Sequence, residues 1–319
     1  MNYAVPPVWY NTPMRLIECI PNISEGRRPE VVADLVRAVR TTPAIRLLDV
    51  TADASHHRSV LTFAGPAPAL TEAVLALVER AIATIDLRTH SGEHPRIGAV
   101  DVVPFVPLDG VTLDECVQLA RVTAAEVAHR FQVPVYLYEA AATAPHRRNL
   151  AEVRRGGFEG LAVRMQDPAW TPDFGPAHPH PSAGAIAMGA RGPLIAFNVN
   201  LADARVEVAR AIAREVRERD GGLPAVKAIP VHLADRGLVQ VSMNLTDFHR
   251  TSMTEAYDAV SRAAARYGIT VLESELIGLV PDAALPPDPG LRLKLRGFSR
   301  RMVLEDRLAQ CLAGDDGVS

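Results

Sequence analysis

Leu194-Ile-Ala-Phe-Asn-Val-Asn200 reads as a strand, and Ala202 to Arg219 immediately after it reads as a helix. Two further apolar runs follow, Val226 to His232 and Leu238 to Asn244, close enough to pair as a hairpin. Thr254 to Tyr267 is then helical, and Thr270 to Leu276 is a last strand. The order is βαββαβ. Such a chain buries itself by laying both helices on one face of a four-stranded antiparallel sheet.

The same order is legible upstream. Met14 to Ile20 is a strand, and Pro29, Val31, Val32, Leu35, Val36 and Val39 recur at helical spacing. Ile45 to Val50 and Ser59 to Phe63 are strands, Pro68 to Ile85 an amphipathic helix, and Ala99 to Phe105 a strand. A further helix starts at Thr112, with Glu115 completing a capping box, and Val133 to Leu137 adds another strand. The hairpin entries also match: Pro43-Ala44-Ile45-Arg46 against Pro224-Ala225-Val226-Lys227. The expected fold is α/β (α+β) in two-layer sandwiches. Two subdomains of ferredoxin-like topology each carry a sheet covered by helices on one face, with a cleft between them. The expected boundaries are 14–166, a connecting loop 167–184, 185–281, and a proline-rich tail 282–319 with a helix near Ser299 to Leu312.

Composition removes several function classes. A net charge of −3 argues against a nucleic-acid binder, which needs a clustered cationic surface. No apolar run reaches the roughly 18 residues of a membrane span, and the first residues lack a signal-peptide pattern. Three scattered cysteines, Cys19, Cys116 and Cys311, make no disulfide framework and point to a reducing, cytoplasmic compartment. Of 34 basic residues only Lys227 and Lys294 are lysines, which disfavours Schiff-base chemistry. Polar chemistry falls to histidine and arginine.

The histidines gather in irregular segments: His56, His57, His90, His94, His178 and His180. His90-Ser-Gly-Glu-His94 has a metal-ligand spacing, but Gly92 within it and Pro95 after it make the segment a loop and remove the helical geometry that spacing needs. His94, flanked by Glu93 and Arg96 ahead of an apolar strand, is the candidate for proton transfer. Ser24 reads as a helix cap and Cys116 as core. The glycines of Gly184 to Arg191 lack the Lys-Ser/Thr of a phosphate loop and precede a strand. Gly175-Pro176-Ala177-His178-Pro179-His180-Pro181-Ser182-Ala183-Gly184 is stiffened by three prolines and suits a preorganised wall for a flat ligand.

At these residues the chain resembles the formiminotransferase family. The matching segments are Glu18 to Gly26, Gly92-Glu-His-Pro-Arg-Ile-Gly98 with Asp101, Val133 to Tyr138, Asp173-Phe-Gly-Pro176, Gly189 to Asn200, and Gln240 to Leu245. The resemblance implies transfer of a formimino group from N-formimino-L-glutamate to N5 of tetrahydrofolate, in a homodimer with no metal. By position, His94 matches the catalytic histidine, Asp53 an acidic residue assisting it, and Gly175 to Gly184 the folate-binding segment. Arg96 joins the catalytic set. Arg58, Arg96 and Arg191 are the candidates to grip carboxylates, because the planar guanidinium binds them bidentately. His57 stands where the family usually has Asn before Arg58, which changes the side chain available for a substrate hydrogen bond. Two alternatives stay open: formyl exchange between 5-formyltetrahydrofolate and glutamate, and a folate-binding protein without catalysis.

Overall fold

Apolar periodicity becomes two separate sheets in the computed structural model, which describes residues 15–54, 56–92, 95–233 and 236–314. The chain divides into one unit running through Arg191 and a second from Gly192.

The first unit contains β1 (Leu16–Cys19), β2 (Asn22–Ile23), α1 (Pro29–Arg40), β3 (Arg46–Asp53), β4 (Arg58–Gly65), α2 (Ala67–Thr84), β5 (Val100–Asp109), α3 (Leu113–Phe131), β6 (Val135–Glu139), α4 (Leu150–Val153), α5 (Gly157–Arg164) and β7 (Ile186–Ala190). β1 and β2 lie end to end between β4 and β5, and β3 flanks β4. Those strands reproduce the expected βαββαβ order, with Val31, Leu35, Val39, Leu70, Val74 and Leu77 buried under the sheet. Thr112 and Glu115 form the expected reciprocal cap on α3.

β7 departs from the expected boundaries. It pairs in parallel with both β5 and β6, so the chain through Arg191 belongs to the first unit and 167–184 is an excursion within it. Ala-Met-Gly-Ala offers little of the branched or aromatic character that marks a strand, and its pairing comes from the neighbours on each side. The half of the sheet added by these strands also carries α4 and α5 on its second face, over Val102, Tyr136, Tyr138 and Ala187.

The second unit contains β8 (Ile195–Leu201), α6 (Val206–Val216), β9 (Val226–Leu233), β10 (Leu238–Leu245), α7 (Met253–Arg266) and β11 (Val271–Ile277). Its order β11-β8-β10-β9 is antiparallel throughout, and Ile195, Phe197, Val199 and Leu201 alternate into a core with the two helices. The matching hairpin entries share a backbone conformation as well as letters. Ala44 and Ala225 both have left-handed φ, 64° and 57°, where the chain turns into β3 and β9.

The tail carries α8 (Pro289–Arg292) and α9 (Leu304–Leu312) and packs on the core of the second unit through Ala284, Leu293, Leu295, Phe298 and Met302. The last helix starts five residues later than the expected Ser299. Val280 N–H donates to Met302 O and Leu304 N–H to Val280 O, both at 2.9 Å, and this bridge holds Val303 extended immediately before the helix.

Candidate active site

The β3–β4 hairpin, the start of α1 and the loop between α2 and β5 meet at one end of the first sheet. Ser24 lies at this junction but caps nothing: its hydroxyl donates to Gly98 O at 2.7 Å, and α1 has no side-chain cap at Arg28. Glu25 instead orders the turn that leads into α1. Its Oε1 accepts from the N–H groups of Gly26, Arg27 and Arg28 at 3.0, 2.9 and 3.0 Å, and its Oε2 accepts from Arg28 Nε at 2.6 Å. Burial acts to raise the Glu25 pKa, but the two amides and the guanidinium outweigh it and hold the carboxyl below its usual value. A carboxylate ahead of a helix is also favoured by the positive end of the helix dipole.

His57 closes the hairpin at φ 51°, a left-handed conformation that histidine and asparagine tolerate better than most residues. Its Nε2 lies 3.1 Å from Glu25 Oε1 and its Nδ1 2.9 Å from Ser91 O. Both partners are acceptors, so a ring bearing a proton on each nitrogen donates twice. His90 stacks on it, with centroids 4.0 Å apart and planes within 9°. His90 Nδ1 accepts from Arg96 Nε at 3.0 Å, which puts its proton on Nε2, donating to His57 O at 3.1 Å. Burial, reinforced by the charges of His57 and Arg96, lowers the His90 pKa against the opposing bond to His57 O. The stacked rings therefore differ in their hydrogen-bonding roles, and that difference limits charge repulsion between them.

Arg96 is a structural hub. Its guanidinium forks onto Glu159 at 3.0 and 2.7 Å and also donates to His90 Nδ1 and O, each at 3.0 Å. These bonds anchor the chain on one side of Glu93-His94, and His57 anchors it on the other. Glu93 and His94 themselves lie outside the described residues. Farther along the chain, Asp101 accepts from Ile97 N–H at 2.7 Å and from Arg154 Nε and Nη2 at 2.8 and 2.5 Å. Arg58 donates to Asn22 Oδ1 at 3.3 Å. Burial, then the positive charge of Arg154, lowers its pKa, opposed by Asp101 and Asp53. Asp53 pairs with His56 through Nδ1 at 3.0 Å.

A narrow crevice lined by Ser24, His56, His57, Arg58, His90, Arg96 and Asp101 lies on one side of the stacked rings. A cavity of about 390 Å³ lined by Glu25, Arg27, Arg28, Thr84, Ile85 and Thr89 shares His57 and His90 as a wall.

The Gly175–Gly184 segment is joined to the same loop. Leu87 N–H donates to Ser182 O at 2.9 Å, Ala99 N–H to Ala183 O at 3.0 Å, and Gly184 bridges Gly98. His180 Nδ1 accepts from Ala183 N–H at 3.0 Å, and burial lowers its pKa. His178 is exposed. Gly175 takes φ 87° against Val133 and Pro134, a close approach that a Cβ would obstruct. Arg191 is not part of the histidine cluster. Its N–H donates to Phe105 O at 3.1 Å, four residues along β5 from Asp101, or ~13 Å at a strand's rise.

Sequence reasoning did not single out Glu25, Arg154 or Glu159. Only Glu25 carried a usable signal, an acid shortly before a helix start. Among the described residues no group of three or more His, Cys, Asp or Glu side chains is placed to hold a metal ion.

Residues 16–191 match the family described as "Formiminotransferase domain, N-terminal subdomain", and residues 196–287 match "Formiminotransferase domain". The first match ends within one residue of the structural boundary at Arg191. The chain is 42% identical over 295 residues to glutamate formimidoyltransferase of Streptococcus pyogenes serotype M1, covering 92% of this chain and 99% of that protein. A protein of the same name from Thermoplasma acidophilum is 42% identical over 297 residues, 92% of this chain and 98% of its own. The formimidoyltransferase-cyclodeaminase of Rattus norvegicus is 43% identical over 277 residues, which are 85% of this chain but 51% of that larger protein. With both units matched and near full-length identity to stand-alone relatives, this chain belongs to the formiminotransferase family.

Proposed function

We propose that this protein is a glutamate formimidoyltransferase, moving the formimino group of N-formimino-L-glutamate to N5 of tetrahydrofolate and releasing glutamate. The observation that carries the reading is the match of both units to the family, with near full-length coverage of the stand-alone relatives named for this activity.

In the reaction N5 attacks the amidine carbon and forms the new C–N bond. The tetrahedral intermediate collapses by breaking the bond to the glutamate nitrogen. For that, N5 must lose a proton and the departing nitrogen must gain one. His94 takes the role of base and then acid, with Asp53 assisting and Arg96 holding the loop. The two anchored flanks of Glu93-His94 support this assignment, because a proton-transfer group needs a fixed approach. Gly175 to Gly184 is assigned to the folate, and Arg58 and Arg191 to substrate carboxylates. The His57 ring faces Glu25 and Ser91, so the substitution supplies no observation favouring a formyl donor. The reading keeps a homodimer without metal and a cytoplasmic location, the last supported by three buried free cysteines.

The test is turnover of His94→Ala with both substrates. A loss of about 10²-fold or more is expected for a missing general acid–base. Wild-type turnover by that variant would refute the role of His94.

A further inference from the structure

We infer that His57 is a positioning residue that fixes the backbone leading into His94, and that Glu25 is its anchor. This rests on the reading of His94 given above. Three observations converge on it. The ring is braced from behind by Glu25, itself held by three amides and Arg28. On its other nitrogen it holds Ser91 O, three residues before His94 in the sequence. Its own carbonyl accepts from His90, and the His90 ring stacks on it. One side chain and one carbonyl thus take hold of the loop at His90 and at Ser91.

Gly92 extends the contact. A Cβ there would sit 2.6 Å from His56 O and 2.8 Å from His57 Cβ, so the loop backbone lies directly against the hairpin. Arg96 secures the far side through His90 and Glu159. Without the His57 ring, Ser91 loses its side-chain tether, while His90 keeps the His57 carbonyl and its bonds to Arg96.

His57 acts through another residue, so its loss should appear in kcat and not in KM. The variant that separates positioning from folding is His57→Gly, since glycine accepts φ 51° without strain and removes only the ring. Its thermal midpoint should stay close to that of the wild type, relief of the left-handed backbone offsetting the lost ring contacts, while kcat falls about tenfold, the scale of one lost hydrogen bond. KM for both substrates should stay unchanged. His57→Asn should recover most of the lost kcat, because its amide starts from the position of Nδ1, can donate to Ser91 O, and tolerates the left-handed backbone. Wild-type kcat in His57→Gly would overturn the inference. So would a loss confined to KM, which would make the ring a substrate contact.

Hydrogen exchange of peptides spanning residues 86–99 tests the tether without any activity. Exchange in His57→Gly should be about tenfold faster than in wild type at the loop amides. Unchanged exchange would overturn the tether, whereas a wild-type protein that transfers no formimino group would overturn only the functional reading.

Discussion

Replacing Asp101 with asparagine should destabilise the first unit by an amount that follows from its surroundings. Asp101 is 2% exposed and answers three donors, Ile97 N–H and two nitrogens of Arg154. It also lies close enough to Arg58 to offset part of the repulsion from Arg154. Asparagine keeps the shape but removes the charge, and its NH₂ must then face a donor. Removing one partner of a buried ion pair costs roughly 3–5 kcal/mol. Arg154 keeps some contact with water, its side chain 13% exposed, so the lower end of about 3 kcal/mol applies. For a unit of this size, that corresponds to a fall in thermal midpoint of roughly 6–12 °C. Calorimetry of the two proteins measures it directly. Asp101→Leu combined with Arg154→Leu should lose less than the single substitutions summed, because no charge is left stranded. A single Asp101→Asn variant that melts with the wild type would refute the account of this pair.

Two further perturbations probe the same framework. The Glu25 carboxyl titrates lower in the folded chain than its usual value near 4.5, so it stabilises the fold above that pH. That stability is lost as pH falls below 4.5 through the folded pKa, and Glu25→Gln should flatten this acid limb in denaturant titrations at stepped pH. Gly26→Ala should cost about 1–3 kcal/mol and lower kcat together. The added Cβ would lie 2.7 Å from Arg58 N and closer still to Asp53 O, displacing the hairpin that carries His57, and chemical denaturation with parallel turnover assays reads both effects.

The histidine pair shows how a few contacts assign distinct jobs to identical side chains. His57 faces two acceptors and His90 faces one donor and one acceptor. Stacking at 4.0 Å is compatible with these roles because burial, with the charges of His57 and Arg96, lowers the His90 pKa, and its Nδ1 accepts from Arg96. The wall between the crevice and the larger cavity is therefore a hydrogen-bonded layer whose two histidines are not interchangeable.

Local patterns were sufficient for α1, α2, α3, α6 and α7, the hairpins and both βαββαβ units, because burying one face imposes periods of 3.6 and 2 on the chain; the short α4 and α5 carried no such signal. The capping box at Thr112 was legible for the same reason: its partners are three residues apart. The histidine loop was recognisable from its motif, and so was the segment from Gly175. What the tertiary structure alone decided involves partners far apart in sequence. β7 is a strand because β5 and β6 flank it, Arg154 finds Asp101 across 53 residues, and His57 meets Glu25 across 32. Arg96 changed from an expected substrate-gripping arginine to a buried hub once Glu159, 63 residues away, took its fork. A charge announces itself in a sequence, but its partner is chosen by where the sheet brings the chain, and only the folded molecule shows which charges are already paired.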